Sequence, residues 1–299
     1  MSSPAISVII PTKGRDSCLR QVLRDLDAQV FKDFDVWVVD QNDKKLSQLE
    51  AEVRTIKIHH ESMPPLGSHA GRNHAIGRTR SRICLFVDDD VRIEPYFVGA
   101  HFEAINAEPE TTAVIAGRVI QPKDGLSEEQ MIRFGRLARY SALTGSVSGN
   151  FIGTERGYVD HMHECNFSAR TKLLVQVGAF NEEFKGNAYF EGTDLSLRLI
   201  KHGCKILYRP DVSLVHLQDG LGGNRVHEKA GHTYWMMRNQ SLLNSAHMNK
   251  IGIPYFELSR VLYVLAKSLK NRNTDIAREG FRGLKDGLQY FLGRRPKNG

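Results

Sequence analysis

Ile83-Cys84-Leu85-Phe86-Val87-Asp88-Asp89-Asp90 sets an apolar run of strand length directly against three consecutive carboxylates. Ionised carboxylates repel one another, and each costs several kcal/mol to desolvate, so a cluster that follows a buried strand calls for a cation or solvent. In open α/β sheets, ligands bind just beyond the carboxyl ends of strands, which is where Asp88, Asp89 and Asp90 fall. Hard oxygen ligands at such an edge suit Mg²⁺ or Mn²⁺ carrying a phosphate. The plainer reading is an acidic turn that caps the next element.

The flanking sequence repeats this arrangement. Ala5 to Ile10 is a β-branched run stopped by Pro11, and Phe34 to Val39 is a second strand ending at Asp40. Between them Asp16 or Ser17 can cap a helix whose apolar positions Leu19, Val22, Leu23, Leu26 and Val30 keep helical spacing. Lys57 to His59 reads as a third strand and His69 to Arg80 as a helix leading into Ile83. Strands that are apolar throughout, interleaved with helices, predict a mostly parallel α/β sheet with helices on both faces.

Further on, Thr112 to Ile120 and His161 to Ala169 read as strands and Ser127 to Tyr140 as an arginine-rich helix. Lys172 to Val177 reads as a short helix and Thr193 to His202 as a helix closed by Gly203. Lys205 to Tyr208 and Val212 to His216 read as two separate extended pieces. Gly145 to Gly157, rich in Gly, Ser and Thr, reads as a mobile loop able to act as a lid.

Residues 1–220 are therefore expected to form the α/β domain and 221–299 a basic helical extension. In the extension Leu262, Leu265, Leu269, Ile276, Phe281, Leu284, Leu288 and Phe291 recur at near-helical spacing among lysines and arginines. Such helices can lie in an anionic membrane interface, or pack back on the domain with a solvated basic face.

Lys plus Arg exceeds Asp plus Glu by 41 to 34, which favours anionic partners: nucleotides, nucleic acid or anionic lipid. Cys18, Cys84, Cys165 and Cys204 are widely spaced without a CxxC pair, the pattern of reduced thiols in a cytosolic protein. No secretory signal opens the chain, and no apolar stretch approaches the ~18 residues of a membrane span. A cytoplasmic location is expected, with possible peripheral contact at the inner membrane face.

Five features occur in a fixed order: Ser7-Val8-Ile9-Ile10-Pro11-Thr12 with Arg15; Val38-Val39-Asp40; Gly71-Arg72-Asn73; Asp88-Asp89-Asp90; and Glu191-Gly192-Thr193-Asp194-Leu195-Ser196-Leu197-Arg198. Together, over about residues 5 to 220, they resemble family 2 glycosyltransferases of the GT-A fold. Cys165 to Arg170 followed by Val177 to Glu182 resembles the segment that precedes the catalytic acid in that family.

The resemblance implies a Rossmann-like sheet and a metal-dependent, inverting transfer from a UDP- or dTDP-sugar to a saccharide or lipid-linked acceptor. Bacterial cell-surface polysaccharide assembly is the setting it suggests, with no nucleic acid partner. Mn²⁺ or Mg²⁺ would be held by Asp88 and Asp90, with His216 as a further ligand or an ordinary edge-of-sheet histidine. Pro11, Thr12, Arg15, Asp40, Arg72, Asp88 and Asp89 would hold the donor, Asp40 through the base N3–H. The alternative for Asp40 is a turn or helix cap, and the less favoured alternative for Arg72 is a surface arginine.

The family commonly reads Glu-Asp-x-Asp where this chain has Gly192, so the proton acceptor falls to Glu191 first and Asp194 second. Asp194 has a ready structural partner in Arg198, four residues on.

His161, His163 and Cys165 alternate and on one strand would share a face, where they would line the acceptor side or, less favoured for want of a fourth ligand, hold zinc. Two other readings compete. Gly192 suits a GT-A-like module that binds nucleotide or lipid without catalysis. Asp88-x-Asp90 resembles the haloacid dehalogenase phosphatase pair, although that motif wants Thr or Val where Arg92 stands.

Overall fold

The computed structural model describes residues 3–121, 127–132, 136–218, 222–223 and 228–294. The elements begin with β1 (Ile6–Thr12), α1 (Asp16–Asp27), β2 (Phe34–Asp40), β3 (Lys57–Ser62), α2 (Ser68–Ile76) and β4 (Ile83–Val87). They continue with β5 (Val91–Arg92), α3 (Phe97–Asn106), β6 (Thr112–Ile120), α4 (Glu128–Ile132), β7 (Arg139–Tyr140), β8 (Val147–Ser148) and β9 (Gly157–Val159). After these come β10 (Asn166–Arg170), α5 (Thr171–Gln176), α6 (Glu191–Lys201) and β11 (Lys205–His216), then α7 (Lys229–His247), α8 (Ile253–Asn271) and α9 (Thr274–Phe291).

Among the described residues one sheet runs β3-β2-β1-β4-β10-β6-β11-β5, with β9 paired to β11. β3, β2, β1 and β4 are parallel, whereas β10 is antiparallel to both β4 and β6. The apolar runs of the central strands follow from burial on both faces. In β4, Ile83, Leu85 and Val87 join the core under α1 and α3, while Cys84 and Phe86 join the core under α2, α5 and α6.

Several expected elements differ from those observed. The helix expected over 127–140 is confined to α4: residues 133–135 lie outside the described residues, and Arg139–Tyr140 pairs with Val147–Ser148 in a small hairpin. The strand expected from His161 starts only at Asn166, so His161, His163 and Cys165 share no strand face. His161 instead bonds through Nε2 to the Ser148 carbonyl, at 3.0 Å. The two pieces at 205–216 are one strand with an irregular register between Arg209 and Ser213, where the hydrogen-bond ladder skips.

The Gly145 to Gly157 segment is tied down rather than free: Ile152 is buried, and the Asn244 side chain of α7 donates to the Gly145 carbonyl at 3.2 Å. The helical extension docks through α7, whose Leu242 and Leu243 pack with Phe184 and Leu197, and α9 lies along α7 with Leu284 against Met237. The expected boundary at 220/221 lies outside the described residues.

Beneath the sheet His101 is fully buried, its Nδ1 3.0 Å from Ser168 Oγ and its Nε2 2.9 Å from Asn166 Oδ1. Burial pushes its pKa from 6.5 down to about 4. The unfolded chain therefore takes up a proton below 6.5 that the native state refuses until about 4, and stability falls as the pH drops through that window. The full loss for this residue is about 3 kcal/mol. Urea denaturation at pH 7 and pH 4.5 is expected to show a steep stability loss in the wild type. His101→Gln should flatten it in part, because His163, also pushed down to about 4, titrates in the same window.

Candidate active site

The carboxyl ends of β1 and β4 open on a cleft of about 370 Å³, closed on the far side by the segment entering α6 and by the end of β11. That entering segment is unusual backbone: Ala188 and Phe190 both take left-handed conformations, φ 54° and 72°. Such conformations are costly outside glycine and cluster where a side chain must be aimed. Here they deliver Glu191 to the cleft as the first residue of α6.

The three consecutive acids separate into two roles. Asp88, Asp90 and His216 offer ligand atoms that all lie within 4.8 Å of one another, with His216 Nε2 3.2 Å from Asp90 Oδ1. Two hard oxygens and one imidazole nitrogen at that separation are a donor set that would suit Mn²⁺ or Mg²⁺. Asp88 keeps a partly exposed side chain for this, while Asp90 is fully buried.

Asp89 turns the other way. Thr12 Oγ1 donates to its Oδ2 at 2.7 Å and Arg15 Nη1 to its Oδ1 at 2.9 Å, with Arg15 also 3.2 Å from Asp90. Burial pushes Asp89 up to about 6 against the pull of Arg15. It thereby pins the β1 loop to the end of β4 while also lining the cleft.

Arg72 is a buried bridge rather than a surface arginine, 2 % exposed, with Nη2 2.9 Å from Asp88 Oδ1 and Nη1 2.5 Å from Glu191 Oε1. Its guanidinium also lies 5.5 Å from the Phe180 ring centroid. Glu191 is thus held to a cation on one oxygen. His69 Nδ1 stands 3.0 Å from the other, without hydrogen-bond alignment.

Asp194 does not line the cleft. Its carboxylate takes Arg198 Nε and His247 Nε2, both at 2.8 Å, which ties α6 to its own last turn and to α7. Asp40 does not line it either. Its oxygens accept from the Asn42 and Leu46 amides at 2.9 and 2.7 Å and lie 3.1 Å from His60 Nε2, and these contacts outweigh burial to lower its pKa. The turn-cap reading of Asp40 is the one the geometry carries. Gln41, beside it, does line the cleft. None of the described residues of the Gly145 to Gly157 segment does.

The cleft also holds residues that sequence reasoning missed as site members: Lys13, Ser68, Glu164, Asn187, Tyr189 and Gln218. Gly223 closes over Arg15, its amide donating to the Lys13 carbonyl at 2.8 Å. Only Glu164 carried a sequence signal, an acid just ahead of the run Cys165 to Ala169, whereas Asp88 was marked by following an apolar strand. His163, pushed down to about 4 by burial and by His216, is neutral there, and burial also holds the Cys165 thiol well above its usual range.

A mixed α/β sheet with an Asp-x-Asp and a histidine gathered at its carboxyl edge defines the GT-A class of glycosyltransferase. The chain belongs to glycosyl transferase family 2: the profile of that family matches residues 7–167, just over half of its length.

Among curated proteins it is 26 % identical over 271 residues to a GalNAc(5)-diNAcBac-PP-undecaprenol beta-1,3-glucosyltransferase of Campylobacter jejuni, covering 87 % of this chain and 74 % of that one. It is 25 % identical to a Pre-mycofactocin glycosyltransferase of Mycobacterium tuberculosis, covering 71 % of this chain but only 42 % of that relative. Among solved structures, S. aureus TarS 1-349 in complex with UDP-GlcNAc superposes with TM-score 0.57 at 15 % identity, over 97 % of this chain and 92 % of that one. The mannosyltransferase PcManGT of Pyrobaculum calidifontis, in complex with GDP-Man and Mn²⁺, gives TM-score 0.56 at 14 % identity, over 96 % and 76 %. These structural likenesses establish the fold. Family membership also removes the phosphatase reading of Asp88 and Asp90.

Proposed function

We propose that the protein is a metal-dependent, inverting glycosyltransferase that moves a sugar from a UDP- or dTDP-sugar to a saccharide or lipid-linked acceptor in bacterial cell-surface polysaccharide assembly. The observation that carries this reading is the convergence of Asp88, Asp90 and His216 within 4.8 Å, beside a cleft that Asp88 and His216 line together with Arg72 and Glu191. Mn²⁺ or Mg²⁺ bound there would supply Lewis-acid stabilisation of the departing diphosphate.

The chain's own residues do the remaining work. Thr12 and Arg15, braced by Asp89, fix the β1 loop on which the nucleotide rests. Arg72 holds Asp88 and Glu191 together by pairing with both. The cleft wall of Asn187 to Phe190 screens the sugar from water. Lipid-linked acceptors are supported by the undecaprenol-linked substrate in the name of the Campylobacter relative.

The helical extension adds a surface for such an acceptor. On α8, Tyr255, Leu258, Leu262, Leu265 and Leu269 recur every three or four residues and are 41 to 78 % exposed, one apolar stripe of a kind that is normally covered. Lys250, Lys270 and Arg272 are exposed near its two ends, which fits an anionic bilayer interface. Among the described residues no helix is long and apolar enough to cross a membrane.

Two measurements test the proposal. In a thermal-shift screen with Mn²⁺ across UDP-, dTDP- and GDP-sugars, a UDP- or dTDP-sugar is expected to raise Tm by several degrees only when metal is present. A shift with GDP-sugars alone overturns the donor assignment, and binding without turnover favours the non-catalytic module. Separately, Leu262→Ser with Leu269→Ser is expected to lower binding to phosphatidylglycerol liposomes at least tenfold. Unchanged liposome binding, or loss of a dimer instead, assigns the stripe elsewhere.

A further inference from the structure

The sugar-transfer reading leaves open which group takes the acceptor's proton, and the structure narrows the choice. Of the carboxylates lining the cleft, Asp88 and Glu191 are bridged by Arg72, and Asp89 is held by Thr12 and Arg15. Glu164 is the remaining one, and among the described residues it forms no ion pair. Its Oε1 accepts a hydrogen bond from the Gly192 amide at 3.0 Å, at the amino end of α6.

The fit between these two residues is reciprocal. A Cβ placed on Gly192 would lie 2.4 Å from Glu164 Oε1 and 2.8 Å from its Cδ, distances that real side chains do not show. The absence of a side chain at residue 192 is therefore what admits the Glu164 carboxylate to the cleft. An acid comes from the segment before β10 to the place beside Glu191 where the sequence pattern led one to look on α6 itself.

We infer that Glu164, lodged against Gly192, is the general base of the transfer. This rests on the sugar-transfer reading above. In the step, the acceptor hydroxyl oxygen forms a bond to the anomeric carbon as the bond from that carbon to the diphosphate oxygen breaks. The bonding pair leaves with the nucleoside diphosphate, and the hydroxyl proton passes to the Glu164 carboxylate. Its surroundings suit the task. Burial, and then the neighbouring Glu191, push Glu164 up to about 7, while Arg72 and the Gly192 amide pull the other way. A base is most effective when its proton affinity lies near the working pH.

A purely structural alternative is that Glu164 only caps α6, and Glu164→Gln separates the two, because the amide oxygen keeps the bond to Gly192 but takes no proton. The experiment follows release of nucleoside diphosphate from UDP-, dTDP- and GDP-sugars with Mn²⁺ by the full chain, with water as acceptor, between pH 5.5 and 9. Wild type is expected to show an acid limb near pH 7, with release failing below it. Glu164→Gln is expected to bind donor normally by thermal shift, to lose release ~10²–10⁴-fold and to lose that limb. Glu191→Gln should keep the limb.

Glu164→Gly with Gly192→Asp returns a carboxylate to the same place from the other side, and this double variant should recover part of the rate with a shifted limb. It also serves should Glu164→Gln fail to fold. Release by Glu164→Gln within threefold of wild type, loss of the limb in Glu191→Gln alone, or a folded but inert double variant each overturns the inference. If wild type releases diphosphate from no donor, the sugar-transfer reading itself falls, and the inference with it.

Discussion

Asp90→Asn is expected to lower turnover at least ~10³-fold while leaving the fold in place, because it removes one negative ligand from the cluster with Asp88 and His216 at almost constant shape. Asp90 is fully buried and faces both Arg15 and His216, so its charge is concentrated rather than spread into water. The variant keeps the ion pair of Arg15 with Asp89, so its structural cost is modest beside the loss of a metal ligand.

The check is a pair of readings. Mn²⁺ together with UDP should raise the Tm of the wild type and leave that of the variant almost unmoved, and diphosphate release should fall in parallel. EDTA should silence the wild type and excess Mn²⁺ restore it. His216→Ala should show the same pattern at a smaller scale, ~10–10²-fold. Equal Mn²⁺ stabilisation of wild type and Asp90→Asn would remove the metal from this cluster.

Arg72→Met should have the second large effect, this time on both stability and rate. The guanidinium is 2 % exposed and satisfies Asp88 and Glu191 at once. Removing it leaves two carboxylates facing each other with no cation between them, a situation that costs ~3–5 kcal/mol for a buried pair. Arg72→Lys is the sharper variant. An ammonium is a single point charge and cannot reproduce two donors in a fixed fork, so it should recover much of the stability but leave turnover at least tenfold down. Thermal melts beside the release assay separate the two effects. Wild-type turnover in Arg72→Lys would mean that the double bridge has no part in the reaction.

Both variants act on residues that the sequence had already brought forward, and for different reasons. Asp90 was visible because three acids after an apolar strand conflict with packing, and only a ligand or solvent resolves the conflict. Arg72 was visible only through its place in an ordered set of motifs. Nothing in its local sequence separates a buried bridging arginine from one on the surface. The assignments that moved were those in which a single residue type has two common uses. Asp40 fits a base contact or a turn cap, and the Asn42 and Leu46 amides make it a cap. Asp194 fits a catalytic acid or a helix pair, and Arg198 and His247 make it a pair.

Errors of element type arose where periodicity misled. The 127–140 segment has helical spacing in part, yet Arg139–Tyr140 pairs with Val147–Ser148 in an antiparallel hairpin. The run from His161 alternates like a strand, but only Asn166–Arg170 finds partners, in β4 and β6.

What the sequence by itself determined is the parallel core and its chemistry. Runs such as Ile6–Ile10 and Ile83–Val87, buried on both faces, are central strands, and polar residues gather where their carboxyl ends open on the cleft. What only the tertiary structure decided is which acids are free. Whether Asp89, Glu191 or Glu164 can take a proton depends on which cation or amide the fold brings to each carboxylate. The Gly192 amide that meets Glu164 lies 28 residues further along the chain, a pairing set by packing α6 against the approach to β10 and by no local preference of the sequence.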